Sequence, residues 1–281
     1  MQMKLHYAVV AKRRLCQFLE ANNVSYELCH LPETTDSLCS FDLIEGQDAY
    51  KAFCMMFPIL STQVLSKQPE YSDEEIKQAE WLYIRCKSKK VKWAYRDDAF
   101  RLSCPYKRPF ENTTRYKHTK QERPLTVVGK MHWSKNMFFC GPDTADEYIF
   151  CSQRTQDILG QKWAGMRYLP VFGKDKEPRS DIYQIIFNTY IPFEALGGGK
   201  QINCTSCGRS CMKIHEATSQ LTVQERYLIN NESVYTTGEV LVDNIIGYPT
   251  YSLNIVPHSF YKYCEDNYMN HGMIYEPVII V

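Results

Sequence analysis

No run of apolar residues in this chain approaches the roughly 20 that a membrane-crossing helix needs. The opening stretch, MQMKLHYAVVAKRRL, has neither the long apolar core nor the small-residue cleavage site of a secretory leader. The expectation is a cytoplasmic protein with no membrane partner. The signatures of the large enzyme classes are missing as well: no G-x-S-x-G elbow, no P-loop, no dinucleotide-binding G-x-G-x-x-G and no H-E-x-x-H helix. His6, His30, His132, His258 and His271 stand alone in the sequence, and an isolated histidine is more often a satisfied structural group than a catalytic one. These absences point away from an enzyme. A dominant charge is lacking too, since the net charge is only +1 over 281 residues.

What charge there is lies unevenly. From Arg85 to Lys135 there are fifteen Lys and Arg against four Asp and Glu, so the rest of the chain is net acidic. The basic stretch interleaves Trp93, Tyr95, Phe100, Tyr106, Phe110, Tyr116 and Trp133 with its cations, the combination that a single-stranded nucleic acid requires. It also suits an acidic protein, or the acidic remainder of the same fold. The carboxylates Asp97, Asp98 and Asp181 leave a metal-dependent nuclease as a further alternative, although paired acids are usually solvated turns. Twenty tyrosines favour a protein-binding surface, because Tyr buries area at low entropic cost and keeps a polar tip.

Most of the twelve cysteines are scattered, several on apparent helix or strand faces (Cys16, Cys54, Cys264), as reduced small hydrophobes are in an intracellular chain. One group differs. Cys204-Thr205-Ser206-Cys207-Gly208 places two thiolates on one bend and is half of a zinc knuckle. A closed structural site needs two more ligands, which Cys104 and His118 supply from the basic stretch or Cys211 and His215 supply locally. The distant pair avoids crowding three thiolates into eight residues and would join two segments of the chain. With four protein ligands such a zinc is structural, because no position stays open for water.

The clearest pattern is a repeat. Gly165-Met166-Arg167-Tyr168-Leu169-Pro170-Val171 returns as Gly272-Met273-Ile274-Tyr275-Glu276-Pro277-Val278. Each copy follows an apolar run (Tyr148 to Cys151; Leu253 to Val256) and a helix-like stretch, so each reads as strand, helix, strand. The Gly suits a left-handed helix C-cap, and Pro170 and Pro277 belong on a sheet edge or at a strand end. The first 86 residues read as strand Lys4–Val10, helix Ala11–Ala21, strand Val24–Leu31, strand Leu38–Ile44, helix Gln47–Met56, a short helix from Ser72 with Glu75 in capping-box position, and strand Trp81–Cys86. That order resembles a split β-α-β, or ferredoxin-like, sheet. The expected fold is therefore α+β: a ferredoxin-like sheet over 1–86, a basic β-rich segment with the first repeat unit over 87–200, and the Cys-x-x-Cys turn with the second unit over 201–281. The four apolar residues Val278 to Val281 suggest an end tied into a sheet.

This order of parts, from about Tyr148 to Val281, resembles the double-CXXCG-motif proteins and related immunity-like proteins of bacterial toxin and immunity systems. The residues that carry it are the two Gly-to-Pro-Val strands, the Tyr183-Gln184 strand and Cys204-x-x-Cys207-Gly208. The resemblance implies zinc ligation by Cys204 and Cys207, with Gly208 as the turn residue, and a role in binding a nearby-encoded toxin or effector without catalysis. The family's first Cys-x-x-Cys-Gly has no counterpart, since Cys86 stands in Cys86-Lys87-Ser88-Lys89 and Cys104 in Cys104-Pro105-Tyr106.

Overall fold

A computed structural model describes residues 2–30, 37–87, 89–91, 100–102, 119–121, 124–142, 148–203, 210–214, 222–238, 240–242 and 252–281. The fold is mixed α+β, with several small antiparallel or mixed sheets and few helices. Contacts divide the chain into two compact units, the first ending at Glu75 and the second starting at Ile76.

The first unit runs β1 (Gln2–Val10), α1 (Arg13–Ala21), β2 (Tyr26–His30), β3 (Ser37–Ile44), α2 (Asp48–Met56) and β4 (Val64–Glu70). Its strands lie in the order β2-β3-β1-β4, with every neighbouring pair antiparallel. In α1, Leu15, Phe18 and Leu19 fall on one face by helical spacing, and all three are buried. The helix stops at Asn22-Asn23: the Asn22 side-chain amide donates to the Phe18 carbonyl at 2.8 Å, and Asn23 takes the left-handed φ of 54° that Asn tolerates. Phe53 of α2 centres the core. It is fully buried, with the Tyr7 ring edge-on at 5.1 Å and Phe41 at 5.5 Å.

The fourth strand of this sheet differs from the sequence expectation, which used Trp81–Cys86. Val64–Glu70 hid because Ser, Lys, Gln and Pro mask its period, and Pro69 is tolerated because β4 is an edge strand. The expected cap at Ser72 is present: Glu75 N donates to Ser72 Oγ at 3.2 Å, and Ser72 N donates back to Glu75 Oε2 at 2.9 Å. It starts α3 (Asp73–Gln78), which leads into the second unit.

Both repeat copies fold as strand, helix, strand: β10 (Ile149–Cys151), α4 (Gln153–Leu159) and β11 (Met166–Phe172), then β20 (Asn254–Pro257), α5 (His258–Asp266) and β21 (Met273–Pro277). Each pair of strands clasps a third that is antiparallel to both. In the first clasp it is β12 (Pro178–Phe187), and in the second β5 (Trp81–Cys86). The registers correspond residue by residue. Ile185 of β12 faces Ile149 and Tyr168, while Ile84 of β5 faces Asn254 and Tyr275. Just past each central strand, Asn188 N donates to the Gly165 carbonyl and Lys87 N donates to the Gly272 carbonyl, both at 2.8 Å.

Further strands extend the two clasps. β9 (Phe139–Pro142) pairs antiparallel with β10, and β6 (Lys89–Val91) runs parallel to β9. Beside β20 stands β18 (Tyr235–Thr237), with β13 (Tyr190–Ile191) parallel to it. One core joins both sheets through Ile84, Cys86, Ile149, Ile185, Phe260 and Tyr275. Trp163 sets its ring edge against Phe260 at 5.3 Å, and Tyr263 Oη donates to the Ile158 carbonyl at 2.9 Å. The opposite faces bury separate cores, Phe150 and Val171 on one side and Trp81 and Ile255 on the other. Strands covered on both faces read as continuous apolar runs, which is why Trp81–Cys86 belongs here.

Smaller sheets complete the unit. β14 (Leu196–Gly197), β17 (Thr222–Val223) and β22 (Ile279–Ile280) form one, which ties in the apolar stretch at Val278 to Val281. β15 (Gly199–Asn203), β16 (Ser210–Ile214) and β19 (Val240–Val242) form another, and β7 (Phe100–Leu102) pairs with β8 (Thr119–Gln121).

Pro170 and Pro277 lie on the edge strands β11 and β21, as their missing amide hydrogens require. The glycines need a correction. Gly160 and Asn267, not Gly165 and Gly272, end the helices, and the repeat glycines sit immediately before β11 and β21. Their φ values are still +83° and +93°. At Gly165 a Cβ would also clash with Thr189 Oγ1 and lie 2.6 Å from the Val234 carbonyl, so the backbone approach itself demands glycine.

Candidate functional site

Alternation along β1 sends Leu5, Tyr7 and Val9 into the first unit's core and leaves Lys4, His6 and Ala8 on the opposite face. Alternation along β3 does the same, burying Cys39, Phe41 and Leu43 and leaving Leu38, Ser40, Asp42 and Ile44 outward. The register sets His6 opposite Asp42 and Ala8 opposite Ser40. A four-residue polar chain results. His6 Nδ1 lies 2.7 Å from Asp42 Oδ1, His6 Nε2 lies 3.2 Å from Ser40 Oγ, and Lys4 Nζ reaches Asp42 Oδ2 at 2.9 Å. The His6 and Asp42 side chains are 35% and 40% exposed, so the group is open to solvent on one side.

The hydrogen-bond chemistry fixes the direction of this chain. Partial burial pushes the Asp42 carboxyl up, but hydrogen bonds from Lys4 and His6 outweigh it and hold the group below its usual range. An ionised carboxylate only accepts, so His6 Nδ1 carries a hydrogen toward it. In the neutral ring Nε2 is then the acceptor and Ser40 Oγ the donor. The order Ser, His, Asp is that of a nucleophile, its base and the group that orients the base. Beside it, the pairing of β1 with β4 shifts register between His6 and Tyr7, leaving Leu65 as an extra residue of the kind that re-aims nearby side chains.

A second feature of this unit is apolar. At the end of α2, Met55, Met56 and Ile59 are 79%, 46% and 74% exposed, three large apolar side chains within five residues. Phe53, one turn earlier, anchors the helix in the core. Met is unbranched and polarisable, which suits a contact surface that must adapt to a partner.

Of the residues singled out from the sequence, Cys204, Cys207, Cys104, His118 and His215 lie outside the described residues, as do Asp97 and Asp98. Cys211 is in β16, opposite Ile202. The flanking strands do meet: Asn203 pairs with Ser210, and Ser210 Oγ donates to Asn203 Oδ1 at 2.8 Å, so the Cys204–Arg209 connection joins two adjacent antiparallel strands. Asp181 holds Arg179 with both oxygens, at 2.8 and 2.6 Å. Most of the basic aromatic stretch is also outside the described residues, while Arg85 donates to Glu276 at 2.6 Å and Trp133 donates its indole hydrogen to the Asp181 carbonyl. Among the described residues no cluster of three or more His, Cys, Asp or Glu could hold a metal ion. Cys16, Cys29, Cys39, Cys54, Cys86, Cys140, Cys151 and Cys264 are free thiols, and burial pushes Cys39 up to about 11 and Cys264 up to about 12, as for inert core cysteines. No helix among the described residues is long and apolar enough to cross a membrane.

No protein-family model, curated protein or solved structure matches the chain. His6 is the residue that sequence reasoning set aside as isolated. Its partners are 34 and 36 positions away, and only the strand register joins them.

Proposed function

We propose that this chain is a cytoplasmic protein-binding protein, an immunity-like factor that occupies and neutralises a toxin or effector encoded nearby. The observation that carries this reading is the exposed Met55 and Met56 at the end of α2, which Phe53 fixes in the core, with the exposed Ile59 in the turn that follows. Burying each such side chain in a partner is worth on the order of 1.5–3 kcal/mol. The test is co-purification of the tagged full chain with the products of its neighbouring genes. A complex that Met55→Glu with Ile59→Glu abolishes supports the proposal; no complex with any neighbour, or one indifferent to both changes, contradicts it.

Two finer readings accompany this one. The all-antiparallel order β2-β3-β1-β4, with a helix after β1 and another after β3, supports a ferredoxin-like split β-α-β sheet as the first unit. The antiparallel pairing of β15 with β16 on either side of Cys204 and Cys207 supports a zinc knuckle on that connection, where the metal would cross-link thiolates and stabilise the fold. Elemental analysis of protein purified without chelator is expected to give about one zinc per chain, lost in Cys204→Ser and Cys207→Ser, as a closed tetrahedral site implies. Metal-free protein at full stability contradicts the knuckle.

A further inference from the structure

The chain Lys4, Asp42, His6, Ser40 has no role in the binding reading, and its contacts run from carboxylate through imidazole to hydroxyl. We propose that Ser40 is an activated nucleophile that takes acyl groups from small activated esters and passes them to water, with His6 as its base.

Asp42 and Ser40 are two apart on β3 and so share a face, and His6 on β1 stands opposite the first and diagonal to the second. Asp42 and Lys4 touch no substrate; they are positioning residues that keep the Nδ1 hydrogen of His6 facing the carboxylate and its Nε2 lone pair facing Ser40. Ser40 is part-buried, and its ladder neighbours on that face are Ala8, which offers a single methyl, and the exposed Glu27. Val10, 45% exposed, pairs with the half-buried Leu38 on the same face and gives a short acyl chain an apolar place to rest.

Each step balances. Ser40 Oγ bonds to the ester carbonyl carbon as its proton passes to His6 Nε2. The carbon–oxygen bond to the alcohol then breaks, and the departing oxygen takes that proton. Water attacks the acyl-serine, again giving a proton to His6 Nε2, and Ser40 recovers it as the carboxylic acid leaves. The geometry also limits the substrate. β3 is an inner strand, so the Ser40 backbone lies between its partners Ala8 and Glu27 in the ladders and is not turned outward to stabilise an oxyanion. The substrates are therefore esters whose leaving group is already good, not amides or alkyl esters.

The experiment exposes the full chain to p-nitrophenyl acetate, quenches it and maps acetyl groups by mass spectrometry while following nitrophenolate release. The expected result is an acetyl group on Ser40, absent in Ser40→Ala, with acetylation of Ser40 slowed roughly 100-fold in His6→Gln, the usual worth of a general base. Absence of acetyl on Ser40 in the unmodified chain overturns the proposal whether or not the variants fold. So does an unchanged rate in His6→Gln of native circular dichroism. For the positioning role, nitrogen-15 shifts of the His6 ring should report a hydrogen on Nδ1 in the unmodified chain and a mixture of tautomers in Asp42→Ala; identical shifts in the two overturn it. Ser40→Ala should leave capture of a protein partner through Met55 and Ile59 intact, so either proposal can fail without the other.

Discussion

In the first clasp the central strand β12 follows β11 through a tight turn, with Gly173 N donating to the Glu177 carbonyl at 2.9 Å and Lys176 at φ 65°. In the second, β5 must be found from far away: 187 residues separate Cys86 from Met273, which it pairs with. The end states nonetheless agree in register and in the hydrogen bonds at Gly165 and Gly272. The difference teaches that one architecture can be reached with a local or a distant centre. A hairpin closes at small loop entropy, whereas a distant strand must wait for the chain to collapse.

The sharpest break comes from the paired isoleucines. Ile185→Ala and Ile84→Ala should each cost about 2–5 kcal/mol, since both remove buried volume from the shared core. Stopped-flow kinetics should separate them: Ile185→Ala mainly slows folding and Ile84→Ala mainly speeds unfolding, because the local hairpin forms earlier. Equal partition in the two variants would erase the distinction between local and distant centres.

The glycines come next in size. Gly165→Ala should cost about 2–3 kcal/mol, combining a positive φ with a clash against Thr189 and the Val234 carbonyl, while Gly272→Ala carries the strain of positive φ and costs about 1–2 kcal/mol. Urea unfolding reads both values. A Gly272 variant as damaged as the Gly165 one would mean that the close approach of Val234 adds nothing.

The two strand-helix-strand units were legible in the sequence because their strands and helices are local patterns, repeated down to the Pro-Val ending. It could not show that Trp81–Cys86 is the centre of the second, since a continuous apolar run states that a strand is buried on both faces but not what buries it. Nor could it show the His6 group, which depends on pairing between residues more than thirty apart. Val64–Glu70 was hidden for a third reason, a polar edge strand that contains proline. The glycine positions were legible and their job was not, because left-handed backbone serves a helix cap and a turn into a strand equally well.

The smallest effect belongs to the first unit, whose polar face contrasts with the apolar core of the clasps. Asp42 has a lowered carboxyl pKa when folded, so its contribution is present above the unfolded-state value and is lost as pH falls through the folded one. Asp42→Asn should therefore be less stable at neutral pH by no more than about 1 kcal/mol, since water screens these part-exposed partners. The gap between variant and unmodified chain should close in acid. Thermal melts across that range check it, and a gap that widens in acid would reverse the assigned sign.

Native-state hydrogen exchange followed through both clasps tests the central claim most directly. The slowest amides of Trp81–Cys86 should exchange together with those of Asn254–Pro257 and Met273–Pro277, in one opening that also releases β12 through the shared core. If Trp81–Cys86 instead exchanges early, with the Asp73–Gln78 helix, while Met273–Pro277 stays protected, then β5 is not the centre of the second clasp and the equivalence of the two halves is lost.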